Sequence, residues 1–352
     1  MIRPGVLDTA HTVGMRRRYW PATTVAVCTW LYLGIVLAVW LLLRLAGDRW
    51  WFATVILFGP RWLCAVPLAV LVPAAVLLRR RMLFVLAAAA ILVFGPIMGF
   101  CLPWGRLAAA EGPSLRVLTC NLKGECHKNA ALDRIIEEQM PDVVALQGCY
   151  GEVRIRWPAG WHVCQVADFV VASRYPVVEG TDHSWQLAGH GPHMDILHCR
   201  VQVDGREIDF CSVHLLSPHG GLEAVFDRKT LLRPSDGPIL DAEIEQRRLE
   251  SEDAYHFACR LGPQQILAGD FNMPVDSAIY RQHWGGFRDG FSAAGLGYGY
   301  TEWPRMRVRV FGVRIDHVLT GDGWRCRRCW VGPDVGSDHL PLLADLSLIH
   351  AE

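Results

Sequence analysis

Residues 115–122 read LRVLTCNL, a run with the apolar and β-branched content of a short buried strand, ending at Asn121 and Leu122. Asn129–Gln139 follows, with Leu132, Ile135 and Ile136 at helical spacing and Pro141 just beyond to stop it. DVVALQ at 142–147 is a second buried strand. Together they predict a β-α-β opening, whose helix covers one face of a sheet and leaves the other to be buried elsewhere.

The rest of this half continues in kind. Strand-like runs follow at FVVASRYPVV (169–178), DILHCRVQVDGREIDFCSVHLL (195–216), QQILAGDFN (264–272), VRIDHVLT (313–320) and LPLLADLSL (340–348). VDGRE (203–207) is a hairpin turn between two β-rich stretches. Asp241–Arg260 reads as a helix. Many strands and few helices predict an α+β fold in which two sheets pack face to face.

The preceding hundred residues are differently built. Residues 1–110 hold eleven Arg, no Lys and two acids, whereas the remainder carries nine more acids than bases, so the zero net charge conceals two opposite halves. Pro21–Leu43 is an uncharged run of 23 residues, enough to cross about 30 Å of hydrocarbon. Met82–Leu102 is a second such run, and Trp50–Leu78 is apolar apart from Arg61. Within it, Trp50–Phe58 reads as interfacial or as part of a tilted helix. Trp20, Trp50, Trp51, Trp62 and Trp104 flank these runs as interfacial aromatics do. Three runs, the first of them long, exclude a signal peptide. Arg16–Arg18 and Arg79–Arg81 mark cytoplasmic ends, so three crossings place everything after Trp104 outside. The expected organisation is a cytoplasmic N-terminus (1–19), a three-helix membrane anchor (20–104), a linker (105–112) and a soluble domain (113–352).

Cysteine usage leaves the compartment open. Cys326-Arg-Arg-Cys329 is a lone C-x-x-C with no second pair; two thiols on a strand are the ordinary reading, with a disulfide or zinc as alternatives.

Polar residues at the strand ends carry the functional information. Singly, each has an ordinary explanation: Asn121 a turn residue, His214 a core histidine, GDFN an Asx turn, Ser337–His339 a loop. Together, Asn121, His214, Asp270, Asn272, Asp316, Asp338 and His339 all stand where strands begin or end, on the rim where binding and catalytic groups collect. Hydrolysis of a phosphate ester needs a base for water, stabilisation of phosphoryl oxygens and commonly a divalent cation. These are the right groups for that chemistry.

TCNL with Asn121, VVALQ, ASRYP, SVHL with His214, AGDFN with Asp270 and Asn272, RIDHVL with Asp316, and SDHLPL with Asp338 and His339 resemble, in order, the motifs of the endonuclease/exonuclease/phosphatase superfamily. The resemblance spans nearly all of 113–349. It implies a deoxyribonuclease-I-like, four-layer α/β/β/α two-sheet sandwich behind the transmembrane helices, which themselves resemble the three-span anchors of some bacterial members. It implies hydrolysis of a phosphodiester by base-activated water with Mg²⁺ or Mn²⁺. His339 resembles the base, Asp316 the carboxylate orienting it, and Asp270 and Asn272 the pair aligning the nucleophile and holding a phosphoryl oxygen. His214 is similar to the histidine supporting phosphate or leaving group. Asn121 and Asp338 resemble residues at the metal, and Gln147 stands in its expected substrate-side place.

One position departs. The superfamily's Leu-Gln-Glu is here Leu146-Gln147-Gly148, so the usual metal-ligand carboxylate is missing. Three readings stay open: a cation held weakly by Asp338, Asn121 and substrate; a substitute acid, Glu125 or Glu152; or a domain that no longer catalyses and only binds a phosphate ligand at the membrane. Lys123 reads as a solvated lysine, with fixed replacement of the cation's charge as the alternative.

The acidic soluble half disfavours tight nucleic-acid binding without excluding it. The membrane tether favours a phospholipid or another small phosphodiester. Arg305, Arg307, Arg309 and Arg314, and separately Arg325, Arg327 and Arg328, form local basic patches. His183, His190 and His193 lie in a segment that reads as a flexible loop at the substrate mouth. The expected location is a bacterial inner membrane with the catalytic domain outside the cytoplasm.

Overall fold

The computed structural model describes residues 9–107, 113–124, 129–151, 153–187, 191–226, 237–303 and 310–349. The chain divides into two compact units, residues 1–42 with 61–99, and residues 43–60 with 100–352.

The first unit is built from α1 (Thr9–Leu45, which ends in the second unit), α3 (Val66–Leu78) and α4 (Met82–Leu92); α2 (Trp51–Phe58) belongs to the second. Trp20–Leu45 and Arg61–Leu78 are long and apolar enough to cross a membrane, and Met82–Ile97 is a shorter apolar helix. The third run is helical over less than its predicted length. A π turn forms at Val93–Ile97 around Pro96, and Gly99 takes a left-handed φ of +79°. Arg61, the one charge in its run, donates from Nη1 to the Ile97 carbonyl at 3.0 Å. Tyr32 Oη donates to the Cys64 carbonyl at 2.7 Å. Small residues such as Ala75 and Ala89 face inward, while Leu31, Ile35, Val70, Leu77, Phe84 and Ile91 point outward. Such an apolar exterior suits hydrocarbon or a partner rather than water.

The second unit is a two-sheet sandwich. Its strands are β1 (Ser114–Asn121), β2 (Val143–Gln147), β3 (His162–Val166), β4 (Phe169–Ser173), β5 (Val177–Leu187), β6 (Gly191–Val203), β7 (Arg206–His214), β8 (Ile266–Asp270), β9 (Arg288–Asp289), β10 (Asp316–Thr320), β11 (Trp324–Val331) and β12 (Leu342–Leu348). One sheet runs β11-β12-β1-β2-β4-β3 and the other β5-β6-β7-β8-β10-β9. Both mix parallel and antiparallel neighbours. Alternation along the strands sends Leu115, Val117, Val143 and Ala145 of one sheet, and Phe210, Ile266 and Ala268 of the other, into a shared core. The opposite faces carry helices. α5 (Ala130–Gln139) covers Leu118, Val144 and Leu146 with Leu132, Ile135 and Ile136. α7 (Gly237–Ala258) and α8 (Ala278–His283), which flank β8 in sequence, cover Ile196, Val213 and Leu267. The helix–sheet–sheet–helix order is the expected one. α6 (His219–Phe226) and the short α9 (Gly290–Ala294) complete the unit.

Residues 183–187 and 191–195 are strand rather than loop: they belong to the paired β5 and β6, in which His183 opposes Ile196 and His193 opposes Trp185. His183 Nδ1 lies 2.8 Å from Asp195 Oδ1. His190 falls outside the described residues, as do Arg305, Arg307 and Arg309. Arg314 is buried rather than part of a surface patch; its guanidinium stands over the Phe291 ring and bonds Ser292 Oγ at 3.0 Å. Cys326 and Cys329 are free thiols on β11.

Residues 43–60, assigned from sequence to the anchor, pack as part of the sandwich. Asp48 is fully buried and accepts from the Ala278 amide at 2.8 Å, the Ile279 amide at 3.2 Å and Ser277 Oγ at 2.5 Å. It thereby supplies acceptors to the first turn of α8 from outside that helix. Trp51 and Val55 of α2 pack on Leu222, Leu240 and Ile244. The Trp51 amide donates to Asp241 Oδ1 at 3.3 Å. Asp48→Ala is expected to lower the stability of the second unit by about 1–2 kcal/mol, leaving two buried amides without an acceptor. Thermal unfolding followed at the Trp284 environment measures it; an unchanged midpoint would place the cap elsewhere.

Candidate active site

Strand register assembles the site. β7 and β8 are parallel with His214 opposite Asp270, and β10 runs antiparallel to β8 with Asp316 opposite Asp270. Three polar residues thus stand side by side at one end of the second sheet. In the first sheet, β1 ends at Asn121 beside Gln147 of β2. Side-chain contacts join the sheets at this rim, among them Asn121 Nδ2 at 3.3 Å from His214 Nε2. Asn121 Nδ2 donates to Asp270 Oδ2 at 2.9 Å, and Gln147 Nε2 donates to Ser212 Oγ at 2.8 Å.

Asp270 is the centre. Its Oδ1 accepts from the Asn272 amide at 2.8 Å, while its Oδ2 faces His339 Nε2 at 3.7 Å and His214 Nε2 at 3.9 Å. Asp316 Oδ2 lies 2.9 Å from His339 Nδ1. His339 Nε2, His214 Nδ1 and Asp316 Oδ1 are buried and make no hydrogen bond. His214 Nδ1 lies 3.6 Å from Asp168 Oδ2. Ser337 Oγ donates to the Asn121 carbonyl at 2.8 Å and accepts from the His339 amide at 3.1 Å, fixing the Ser-Asp-His loop on β1.

Burial lowers the proton affinity of His339, but Asp316, Asp270 and Glu302 outweigh it and raise the pKa to about 10. The same geometry affects Glu302: burial raises its pKa despite the opposing His339 charge. Glu302 was not anticipated from sequence. It sits in Thr301-Glu302-Trp303 with no motif around it, and reaches the site because its backbone bridges both Val313 and His339. Arg247 was also missed. This buried guanidinium donates to the carbonyls of Leu216 at 3.1 Å and Asn272 at 2.6 Å, tying together the loops that follow β7 and β8.

Asn272 and Gln147 are placed deeper than expected. Asn272 Nδ2 donates to the Leu215 carbonyl at 2.7 Å, so the side chain binds two loops together. Gln147 is completely buried between the sheets, held by Thr119 and Ser212 rather than presented to substrate.

Gly148 has a structural reason. Its φ is +66°, which disfavours a side chain, and a Cβ there would lie 2.7 Å from Asn121 Oδ1 and 2.9 Å from the Lys123 amide. Backbone bonds from Leu122 to the Gln147 carbonyl at 2.9 Å and from Gly124 to the Gly148 carbonyl at 2.7 Å hold the turn against it. Lys123, itself at φ +43°, is not simply solvated: its Nζ lies 3.1 Å from Asp338 Oδ2. Burial lowers its pKa, yet Asp338, Glu302 and Asp270 together raise it.

Asp270, Asp316 and His339 offer three possible metal-ligating atoms within 4.8 Å of one another. A divalent cation nevertheless fits this site poorly. Asp316 Oδ2 and His339 Nδ1 already bond each other at 2.9 Å. Of the positions expected to hold Mg²⁺ or Mn²⁺, Gly148 has no ligand, Asn121 Oδ1 accepts from the Lys123 amide at 3.0 Å, and Asp338 is paired with Lys123. The proposed substitutes Glu125 and Glu152 fall outside the described residues.

A two-sheet sandwich with an Asn, His and Asp rim and a buried Asp–His pair defines a hydrolase-type scaffold of the phosphoesterase class. Residues 118–339 match the Endonuclease/Exonuclease/phosphatase family, and the chain belongs to it. No curated protein matches the chain. Among solved structures, an endonuclease/exonuclease/phosphatase from Beutenbergia cavernae is 16% identical with a TM-score of 0.47, covering 67% of this chain and 72% of that one. A 3′-5′ exonuclease from Neisseria meningitidis is 18% identical with a TM-score of 0.47, over 65% of this chain and 98% of that one. An AP endonuclease from Archaeoglobus fulgidus is 19% identical with a TM-score of 0.46, over 65% and 98%.

The raised pKa of His339 has a direct readout. Its extra proton stabilises the folded chain fully below the ordinary value of 6.5, and that contribution fades as pH rises towards about 10. Histidine ¹⁵N spectra are expected to show His339 cationic throughout the neutral range. A midpoint near 6.5 would mean that the three carboxylates do not act on it together.

Proposed function

We propose that the chain is a membrane-anchored phosphodiesterase that attacks its substrate with water held at Asp270. The observation that supports this most directly is the convergence of Asp270, His339, His214, Asn121 and Asp316 on one rim, with His339 Nε2 buried and making no hydrogen bond. A domain kept only for its fold gains little from such an arrangement, because buried polar atoms without partners cost stability.

Asp316 fixes the His339 ring through Nδ1 and directs Nε2 to the reaction centre. The sequence reading makes His339 the base. In its charged form Nε2–H instead donates to a phosphoryl oxygen, and Asp270 accepts the proton of the attacking water. The new O–P bond forms as the bond to the leaving oxygen breaks. That oxygen takes a proton from His214, whose Nε2 lies 3.9 Å from Asp270 Oδ2, and the proton gained by Asp270 returns to His214 through solvent as the site resets. Asn121 holds Asp270 in place, and Asn272 with Arg247 holds the loop beneath it. No step is routed through Mg²⁺ or Mn²⁺, whose expected ligands are absent or engaged.

The substrate favoured by an acidic domain and an apolar anchor is a phospholipid or another small phosphodiester, with nucleic acid less favoured. Membrane lipids are then both surroundings and candidate substrate. Residues 43–60 and 100–352 belong to one unit, which calls for an even number of crossings between them; in this reading Arg61–Leu78 is one, and the shorter apolar helix Met82–Ile97 with the apolar residues up to Leu102 is the other. With Arg16–Arg18 and Arg79–Arg81 inside, the catalytic unit faces outward from a bacterial inner membrane. A reporter active only outside the cytoplasm, fused after Glu352, is expected to be active; activity from a cytoplasm-specific reporter instead would reverse the orientation.

Catalysis is tested on the full chain in detergent with bis(4-nitrophenyl) phosphate. Asp270→Asn and His339→Gln are each expected to lose about 10²–10⁴-fold in kcat. His214→Gln should lose less with this substrate, because 4-nitrophenolate leaves without a proton, and more with an alkyl leaving group. A wild-type chain that binds phosphate but turns nothing over would favour a tethered binding module.

A further inference from the structure

We propose that Lys123 is the resident cation of this site: its ammonium pairs with Asp338, its backbone amide engages Asn121, and substrate phosphate binds without a divalent ion. The inference rests on the phosphodiesterase reading for its substrate, but its cation-exclusion part stands independently.

Three observations carry it. First, the backbone is built for a lysine and against a carboxylate at 148. The Leu122–Gly124 turn is hydrogen-bonded to residues 147 and 148, and a side chain at Gly148 would collide with Asn121 and with the backbone of Lys123. Restoring an acid at 148 would therefore require this turn to move. Second, the two other candidate ligands are occupied by Lys123 itself. Its amide donates to Asn121 Oδ1 at 3.0 Å and its ammonium pairs with Asp338 Oδ2 at 3.1 Å. Third, Lys123 lies within electrostatic reach of Glu302 and Asp270 as well as Asp338, the acidic surroundings that a cation neutralises.

An exposed ion pair would carry little weight. Lys123 is itself an exposed residue, but the Asp338 side chain is only 10% exposed, and both stand on segments fixed at the end of β1 by Ser337 and by the 122–124 turn. A second, divalent cation would have to share Asp338 with an ammonium already in contact with it, so repulsion opposes its entry. The chemical difference is specific. An ammonium donates three hydrogen bonds as a point charge and does not bridge several ligands as a metal does. The ligand class is thus a single phosphate ester, bound through one or two of its oxygens.

The test uses chelator-washed full-length chain. Electron paramagnetic resonance of free Mn²⁺ is expected to show no stoichiometric binding to wild type and one bound ion in Lys123→Met, where Asp338 loses the ammonium and the positive charge facing Asp270 and Glu302 is gone. Wild-type hydrolysis should change less than about twofold between EDTA and Mg²⁺, and Lys123→Met should fall by about 10²-fold in EDTA and partly recover with Mn²⁺. If Lys123→Met does not fold, Lys123→Arg provides the second arm and should remain insensitive to EDTA. Stoichiometric Mn²⁺ binding by wild type, or wild-type rates in EDTA from Lys123→Met, would overturn the proposal. If wild type excludes Mn²⁺, Lys123→Met binds it and neither hydrolyses anything, the resident cation stands and the hydrolase reading fails.

Discussion

The Asn121–Asp270 hydrogen bond is the contact on which the rest of the site depends. It joins the end of a strand in one sheet to the end of a strand in the other, across the top of a core that is otherwise apolar. Because the charged acceptor is buried, losing the donor would leave a carboxylate with less solvation than it needs. The bond therefore ties the two sheets together at the rim, above the buried Gln147–Ser212 bond that also crosses between them. His339 enters from the first sheet's last connection and meets Asp316 of the second, repeating that join a few ångströms away. Chemistry and architecture share the same atoms.

The inward histidine is also the reason the site tolerates so many acids. Asp270, Asp316 and Glu302 surround one imidazole, and Lys123 faces Asp338 at the rim. Each cation lowers the cost of the carboxylates near it, and each carboxylate keeps a cation charged. His339 and Lys123 thus offset part of the negative charge of the four carboxylates Asp270, Asp316, Glu302 and Asp338.

Much of this was legible in the sequence because strand ends can be read from alternation and from turn residues. LRVLTCNL, AGDFN and RIDHVL announce both a strand and the polar residue that ends or begins it; strand content gave the two packed sheets, and the family resemblance implied the four-layer arrangement. What was not legible depends on register and on long-range packing. Gly148 reads only as a missing acid until its φ and the turn opposite it are known. Glu302 and Arg247 lie in unremarkable local contexts and acquire meaning through a backbone bridge and two carbonyls. His183 and His193 read as loop because Gly and His interrupt the alternation, yet β6 pairs with β5 across them. Arg314 looks basic and exposed in one dimension and is buried over an aromatic ring in three.

Asp48 has a consequence for how the molecule is made. Its partners Ala278 and Ile279 lie 230 and 231 residues further on, with two apolar helices in between. During synthesis the segment that completes α8 is therefore among the first parts produced and among the last to find its place, because the helix it caps does not yet exist. The sandwich closes only after the chain has passed through both intervening helices and returned. A fragment that begins at residue 100 lacks part of its own fold, because residues 43–60 belong to the same unit.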